Sequence, residues 1–340
     1  VLILFNTKIN SQRSIFRPTD PLAPEITTQW KDGGKKYTLS HSRLSYVSLF
    51  KKFDREFFES HMLPDEKIFF RNETDKFVNG SELKELQEEL LKEIYEQKTD
   101  YKNFTVLKNR DFNMKNQSGV IILKCKKYPF VVKIFIETPE SFVRPFSKGF
   151  EPSVFFIMGA GINRYLSGFT RIKNLEVINK QIKSDPIWRT KIDAPRKWYS
   201  TPKNNRWFTL TGKNIGKSKT TSIDLPSVYT IWSDEIIADN SFSIFNKQNR
   251  KDVIELSKFL GNRIDPHIDN YLREKNTGLL VIVDSEHFPT MVGLKKPVPC
   301  DSYARWYSKL VIKCSADLFA QDKKTRREAQ FNEDPEFLPV

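Results

Sequence analysis

Apolar and polar positions change period several times along this chain. The first forty or so residues scatter Pro18, Pro21, Pro24 and Gly33-Gly34 among polar neighbours and read as an extended arm with little structure of its own. From Leu44 to Tyr101 the period turns helical. Asn79 with Glu82 three residues on has the form of a capping box, and Leu83, Leu86, Leu90 and Ile94 then recur one helical turn apart. Short β-branched and aromatic runs follow at 105–107, 120–123 and 130–136, which predict three antiparallel strands. Residues 163–183 carry Leu175, Ile178 and Ile182 on one helical side, and the runs at 197–199, 207–210 and 228–232 predict further strands of the same sheet. Another helix is expected after Asn249, where Val253, Leu256, Phe259 and Leu260 share a face and Gly261 stands where a C-terminal cap belongs. A buried strand is expected at 279–283. Asp301-Ser302 then opens a last helix with Tyr303, Trp306, Tyr307 and Leu310 in its apolar stripe, before a polar tail.

Composition adds bounds to this outline. The chain has 340 residues, 39% of them hydrophobic and 27 of them Phe, which is enough apolar area for a packed core. No apolar run reaches the roughly 18 residues of a bilayer span, so no membrane span is expected. Cys125, Cys300 and Cys314 show no Cys-x-x-Cys spacing and read as free thiols in a reducing compartment. The cytoplasm is therefore the expected location. Secretion as an effector is the alternative, because the chain opens without methionine in the manner of a sequence whose upstream part is missing.

The net charge of +14 suits an anionic partner without naming it. From Arg196 to Thr221 seven basic residues and four aromatics occur with no acid, which is the composition of a single-strand nucleic-acid platform. The competing reading turns those aromatics into the core, since alternate strand residues face opposite ways.

More specific chemistry lies in a few polar residues at element centres and ends. Lys133 interrupts the run Val-Val-Lys-Ile-Phe, which is apolar on both faces, so its ammonium needs an anionic partner. Asp265 and Asn270 stand five residues apart in the loop after a helix, and Asp284 ends the apolar strand fourteen residues beyond Asn270. A base, an amide, a second acid and a lysine are what phosphoryl transfer from a nucleotide requires.

Asp265-x-His267-x-x-Asn270 resembles the Asp-x-His-x-x-Asn catalytic loop of aminoglycoside phosphotransferases and related atypical kinases. Asp284-Ser285-Glu286 is similar to their magnesium-binding Asp-Phe-Gly, and Val-Val-Lys133-Ile to the Val-Ala-Ile-Lys strand. The likeness runs from about Phe104 to Phe319. It implies an α+β, bilobal protein kinase-like fold: an N-terminal arm and helical extension over 1–101, a mainly antiparallel N-lobe with insertions over 102–240, a helical C-lobe over 241–322 and a loose tail over 323–340. It also implies ATP and Mg2+ as cofactors, Asp265 as catalytic base, Asn270 and Asp284 as metal ligands, and Lys133 as the phosphate-binding lysine. The helix glutamate expected to pair with Lys133 is Glu176, with Glu151 second. The acceptor would be a hydroxyl on a protein or small molecule.

The chain departs from that pattern in ways that keep two other functions open. Residues 109–119 hold a single glycine where a Gly-x-Gly-x-x-Gly loop would cover the phosphates, and Pro266 follows the proposed base directly. A catalytically inactive kinase-like interaction module is one alternative, and a basic nucleic-acid-binding protein the other. Two further motifs have structural explanations. Thr211-Gly-Lys-Asn-Ile-Gly-Lys-Ser218 is one residue short of a P-loop and reads as a basic turn between strands, and Gly159-Ala-Gly-Ile-Asn-Arg164 lacks the third glycine of a dinucleotide fingerprint.

Overall fold

A computed structural model describes residues 25–31, 34, 36–40, 53–139, 162–215, 218–239, 243, 246–265 and 268–287. The chain begins with β1 (Glu25–Trp30), β2 (Lys36–Ser40), α1 (Arg55–Ser60), β3 (Lys67–Phe70), β4 (Glu73–Asn79) and α2 (Gly80–Tyr95). Next come β5 (Phe104–Lys108), β6 (Phe112–Asn113), β7 (Ser118–Cys125), β8 (Phe130–Ile136), α3 (Ile162–Gly168) and α4 (Thr170–Ser184). Then follow β9 (Ile192–Asp193), β10 (Lys197–Ser200), β11 (Trp207–Ile215), β12 (Ser218–Pro226), β13 (Val228–Asp234), α5 (Lys247–Phe259), β14 (Tyr271–Arg273) and β15 (Leu280–Ile282). The fold is mixed α+β with mostly antiparallel sheets; among the named strand pairs, β15 with β9 is parallel.

The central sheet has the strand order β10-β13-β8-β7-β5, with β6 appended to β7. Its two faces are built differently because strand residues alternate. On one face Val132, Ile134, Ile121, Leu123 and Trp232 pack against Leu83, Leu86, Leu90 and Ile94 of α2. Gln87 docks that helix to β13, its Oε1 accepting from Thr230 Oγ1 at 2.7 Å and from Trp232 Nε1 at 3.0 Å. The other face presents Phe135, Tyr199, Tyr229 and Ile231, which join Tyr165, Leu166 and Phe169 of the α3–α4 region in a second core. Lys133 belongs to this second face, between Ile122 and Ile231 in register. The run around Lys133 is apolar on both sides because α2 covers the side that an amphipathic strand would leave to water.

Three differences from the sequence-based outline have physical causes. Parts of the supposed arm are strands: β1 and β2 join β11 and β12 in a four-stranded sheet, since β1 supplies backbone partners to the β11 edge. For the same reason β11 belongs to that sheet and not to the one holding β10 and β13. The single helix expected over 163–183 is two helices. The Tyr229 hydroxyl donates to the Tyr165 carbonyl at 2.5 Å, so Phe169 N–H turns to the Leu166 carbonyl at 3.2 Å and the helical ladder breaks. Gly168 sits at this break, where a Cβ would lie 1.9 Å from the Tyr229 oxygen.

The helix after Asn249 is α5, capped at its start by Asn246, whose side chain accepts from Gln248 and Asn249 N–H. It ends as the sequence suggests: Gly261 has φ +63°, and the Gly261 and Asn262 N–H groups donate to the Lys258 and Ser257 carbonyls. Of the near-P-loop, residues 211–215 end β11 and Ser218 begins β12, with Ile215 opposite Ser218 in register; residues 216 and 217 lie outside the described residues. The glycine motif at 159–161 and the helix expected from Asp301 lie outside the described residues. No helix among the described residues is long and apolar enough to cross a membrane.

Candidate functional site

Lys133 projects from the middle of β8 toward the segment that follows β15, where its Nζ donates to Asp284 Oδ2 at 2.8 Å. The anionic partner that its burial demands is therefore Asp284, 151 residues away. A second cation reaches the same carboxylate: Arg171, in the first turn of α4, donates from Nε to Asp284 Oδ1 at 3.0 Å and from Nη2 to Glu286 Oε2 at 2.7 Å. The Glu286 N–H also donates to Asp284 Oδ1, at 3.2 Å. The Ser167 hydroxyl donates to the other Glu286 oxygen. Arg171 and Glu286 side chains are only 3% and 4% exposed, so this is a buried charge network and not a surface pair.

The 283–287 segment has little ladder bonding, and side chains hold it instead. Lys197 of β10 donates to the Val283 carbonyl at 3.0 Å and to Ser285 Oγ at 2.8 Å. Ser285 Oγ donates to the Arg171 carbonyl, Asn174 Nδ2 donates to the Ser285 carbonyl, and His287 N–H donates to Thr170 Oγ1. Thus α4 and β10 fix the position of Asp284 relative to β8.

Asn270 arrives from the other side. Its carbonyl accepts from Val283 N–H at 2.9 Å, and its Nδ2 donates to the Asp265 carbonyl at 3.0 Å. Ile264 forms an isolated bridge with His287, so the start of the 264–270 loop also lies along the 283–287 segment. Residues 266 and 267, including the histidine of the loop motif, are outside the described residues.

These residues surround a cavity of about 610 Å³, within the usual range for small-molecule sites. Leu107, Ile122, Val131 and Ile231 line it from the sheet, and Leu272 and Val283 line it from the β14–β15 side. The end of β13 (Ser233, Asp234) and Glu235-Ile236 border it. Lys133, Arg171, Lys197, Asn270 and Asp284 form its polar end, and Asp269 is also on its wall. Six lining residues are basic (Lys108, Arg110, Lys124, Lys133, Arg171, Lys197) and four acidic (Asp234, Glu235, Asp269, Asp284). The cavity therefore combines an apolar slot with a net positive wall, a combination that suits an anion bearing a flat apolar group.

The electrostatics follow from burial and proximity. Burial alone would raise the Asp284 carboxyl, but Arg171, Lys133 and Lys197 outweigh it and hold the group well below the usual carboxylate range. Lys133 is pulled below its ordinary value by burial, with Asp284 partly restoring it. Lys197 is pushed down to about 7 by burial and then by the neighbouring Lys133. Arg171 is disfavoured by burial but raised on balance by Asp284 and Glu286, so it is a permanent cation here.

Of the residues singled out from sequence, Lys133, Asn270 and Asp284 meet at this cavity. Asp265 is one hydrogen bond away from it, through Asn270, and is not on its wall. Glu176 does not pair with Lys133. Its Oε1 contacts His61 Nε2 at 2.8 Å and its side chain is 55% exposed. The cause is helical geometry: Glu176 follows Arg171 by five residues, about 140° around α4, so when Arg171 faces Asp284, Glu176 faces away. Glu151 lies outside the described residues.

Arg171 and Lys197 are the site residues that periodicity passes over. The signal for Arg171 is a cation placed one turn before Leu175 and two before Ile178, on the apolar side of the helix. For Lys197 no sequence signal separates it from the other basic residues of its stretch. In that stretch Lys197, Tyr199 and Phe208 are buried, and Arg196 is held by Asp234 at 2.7 Å and by the Phe69 carbonyl.

A magnesium ion at Asn270 and Asp284 fits this donor set poorly. Octahedral Mg2+ asks for carboxylate oxygens about 2.0–2.1 Å away, yet both Asp284 oxygens already accept from cations, and a third cation, Lys197, stands beside them. Asn270 offers one neutral amide oxygen, its Nδ2 being bound to Asp265. Comparison of the chain with protein-family models, with curated proteins and with solved structures finds no match.

Proposed function

We propose that this chain is a kinase-like protein that takes ATP in the cavity between the central sheet and the β14–β15 ribbon, and moves its terminal phosphoryl group to a hydroxyl acceptor. The observation that carries this reading is the 2.8 Å contact between Lys133 and Asp284 across the polar end of an apolar, net-positive cavity. A lysine on the third long strand from one edge of an antiparallel sheet, an acid-to-amide loop, and an acid just after the following ribbon are the parts that phosphoryl transfer uses in kinases. Their sequence order here, 133, then 265 and 270, then 284, supports the same assignment, with the sheet as one lobe and α5 with the ribbon as the start of the other.

In this reading the apolar slot between Ile122, Ile231 and Leu272 holds the base, and Lys133 contacts the phosphates. The acceptor oxygen attacks the terminal phosphorus, the bond from that phosphorus to the bridging oxygen breaks with ADP as leaving group, and the hydroxyl proton passes to the Asp265 carboxylate. Asn270 fixes the loop by holding the Asp265 carbonyl, so it positions the base whether or not it touches the nucleotide.

Calorimetric titration with ATP and a transfer assay using labelled terminal phosphate test this. Lys133→Met is expected to weaken ATP binding at least tenfold. Asp265→Asn is expected to leave binding intact and lower transfer by about 10²–10⁴, the usual worth of a general base. If the wild-type chain shows no ATP binding at millimolar concentration, the reading fails.

A specific feature favours a second reading, in which the cavity binds nucleotide without turnover. Arg171 stands on Asp284 where a kinase would place a free metal-binding carboxylate, and a wild-type chain that binds ATP but transfers nothing above buffer would select it. The nucleic-acid reading draws less support, since Tyr199 and Phe208 are unavailable for stacking.

A further inference from the structure

We infer that the polar end of the cavity is a metal-independent phosphate site, in which Arg171, Lys133 and Lys197 supply the countercharge that a divalent ion supplies elsewhere. The inference rests on the nucleotide reading above and follows from the misfit of magnesium.

Within the network at this end of the cavity, three cations face two carboxylates, Asp284 and Glu286. A divalent ion arriving here meets positive charge and, on Asp284 and Glu286, oxygens that already accept, whereas a phosphate meets donors. Arg171 uses Nε and Nη2 on the two acids, but its Nη1 is buried without a hydrogen-bond partner. A buried guanidinium N–H left unpaired is costly, and Arg171 itself lines the cavity. Lys197 spends two of its three donors on Val283 and Ser285 while lining the cavity. Lys133 has one identified acceptor, Asp284, and it also lines the cavity.

The arrangement also accounts for the missing glutamate partner of Lys133. With Arg171 at the α4 position that faces β8, an acid there is replaced by a base, and its charge is balanced by Glu286 two residues after Asp284. With Glu286 balancing Arg171 and Asp284 balancing Lys133, the positive excess at this end is supplied by Lys197.

The test titrates the full chain with ATP in excess EDTA and again in magnesium chloride, and with adenosine in EDTA. ATP affinity in EDTA is expected within about threefold of that in magnesium, with adenosine at least tenfold weaker. Arg171→Lys keeps a charge for Asp284 and Glu286 but removes the fork, and should weaken ATP in EDTA about tenfold while leaving adenosine unchanged. ATP binding that requires magnesium overturns the inference and leaves the nucleotide reading standing. Equal affinity for ATP and adenosine in EDTA also overturns it, because the phosphates would then contribute nothing. Failure to bind ATP under either condition removes both.

Discussion

The two faces of the central sheet are made from the same strands and do opposite things. Val132, Ile134 and Trp232 on one face meet the apolar side of α2 and its Gln87, whose Oε1 accepts from Thr230 and Trp232. Lys133 and Lys197 on the other face meet Asp284 and the segment around it. The α2 face gains stability from buried area, at roughly 25 cal/mol per Å². Charges on the second face lose their hydration and recover it only through one another, so that face is well determined in geometry and carries little net stability. It is also the face with the cavity. With one face packed on α2, the part of the other face around Lys133, beside the core of Phe135 and Tyr229, holds the charged residues and the cavity.

The sharpest way to break the contrast is to remove one charge. Asp284→Asn leaves Arg171 and Lys133 facing a neutral amide, and is expected to destabilise the fold by about 3–5 kcal/mol, measured by urea denaturation. A loss below 1 kcal/mol would mean that the network is hydrated and not buried. On the apolar face, Leu90→Ala at a 1% exposed position should cost about 2–4 kcal/mol by lost burial and cavity formation. Its nucleotide affinity should be unchanged, because α2 does not reach the cavity.

A smaller effect is pH-dependent. Lys197 releases its proton near pH 7 in the folded chain, but near 10.4 when unfolded. Between these values the unfolded state binds the extra proton, so this residue makes stability rise with pH above 7 and imposes its full burial penalty below. The difference in melting temperature between wild type and Lys197→Met should therefore shift in favour of wild type from pH 7 to 9. A difference that is flat with pH would show that Lys197 titrates normally.

Much of this architecture was legible beforehand where a local rule was strong. The α2 stripe, the three strands ending in β8, the α5 cap at Gly261 and the buried β15 all follow from periodicity and cap chemistry, which are short-range. The helix break at Phe169 was not legible, since it depends on a hydroxyl from Tyr229 sixty-four residues away along the chain from Tyr165. The partition of β10, β11 and β13 between two sheets was hidden for a similar reason: strand propensity does not specify a partner.

At the site the same division holds. By itself the sequence determined that Lys133 needs an anion, because a lysine amid Val, Ile and Phe cannot stay unpaired, and it marked Asp284 by its place at the end of a buried strand. Only the tertiary structure decided which acid answers which base. Glu176 is excluded by the turn of α4, and Arg171 enters because that same turn points it at Asp284. Pairing of charges distant in sequence depends on helix rotation and strand register together, and no window of residues contains both.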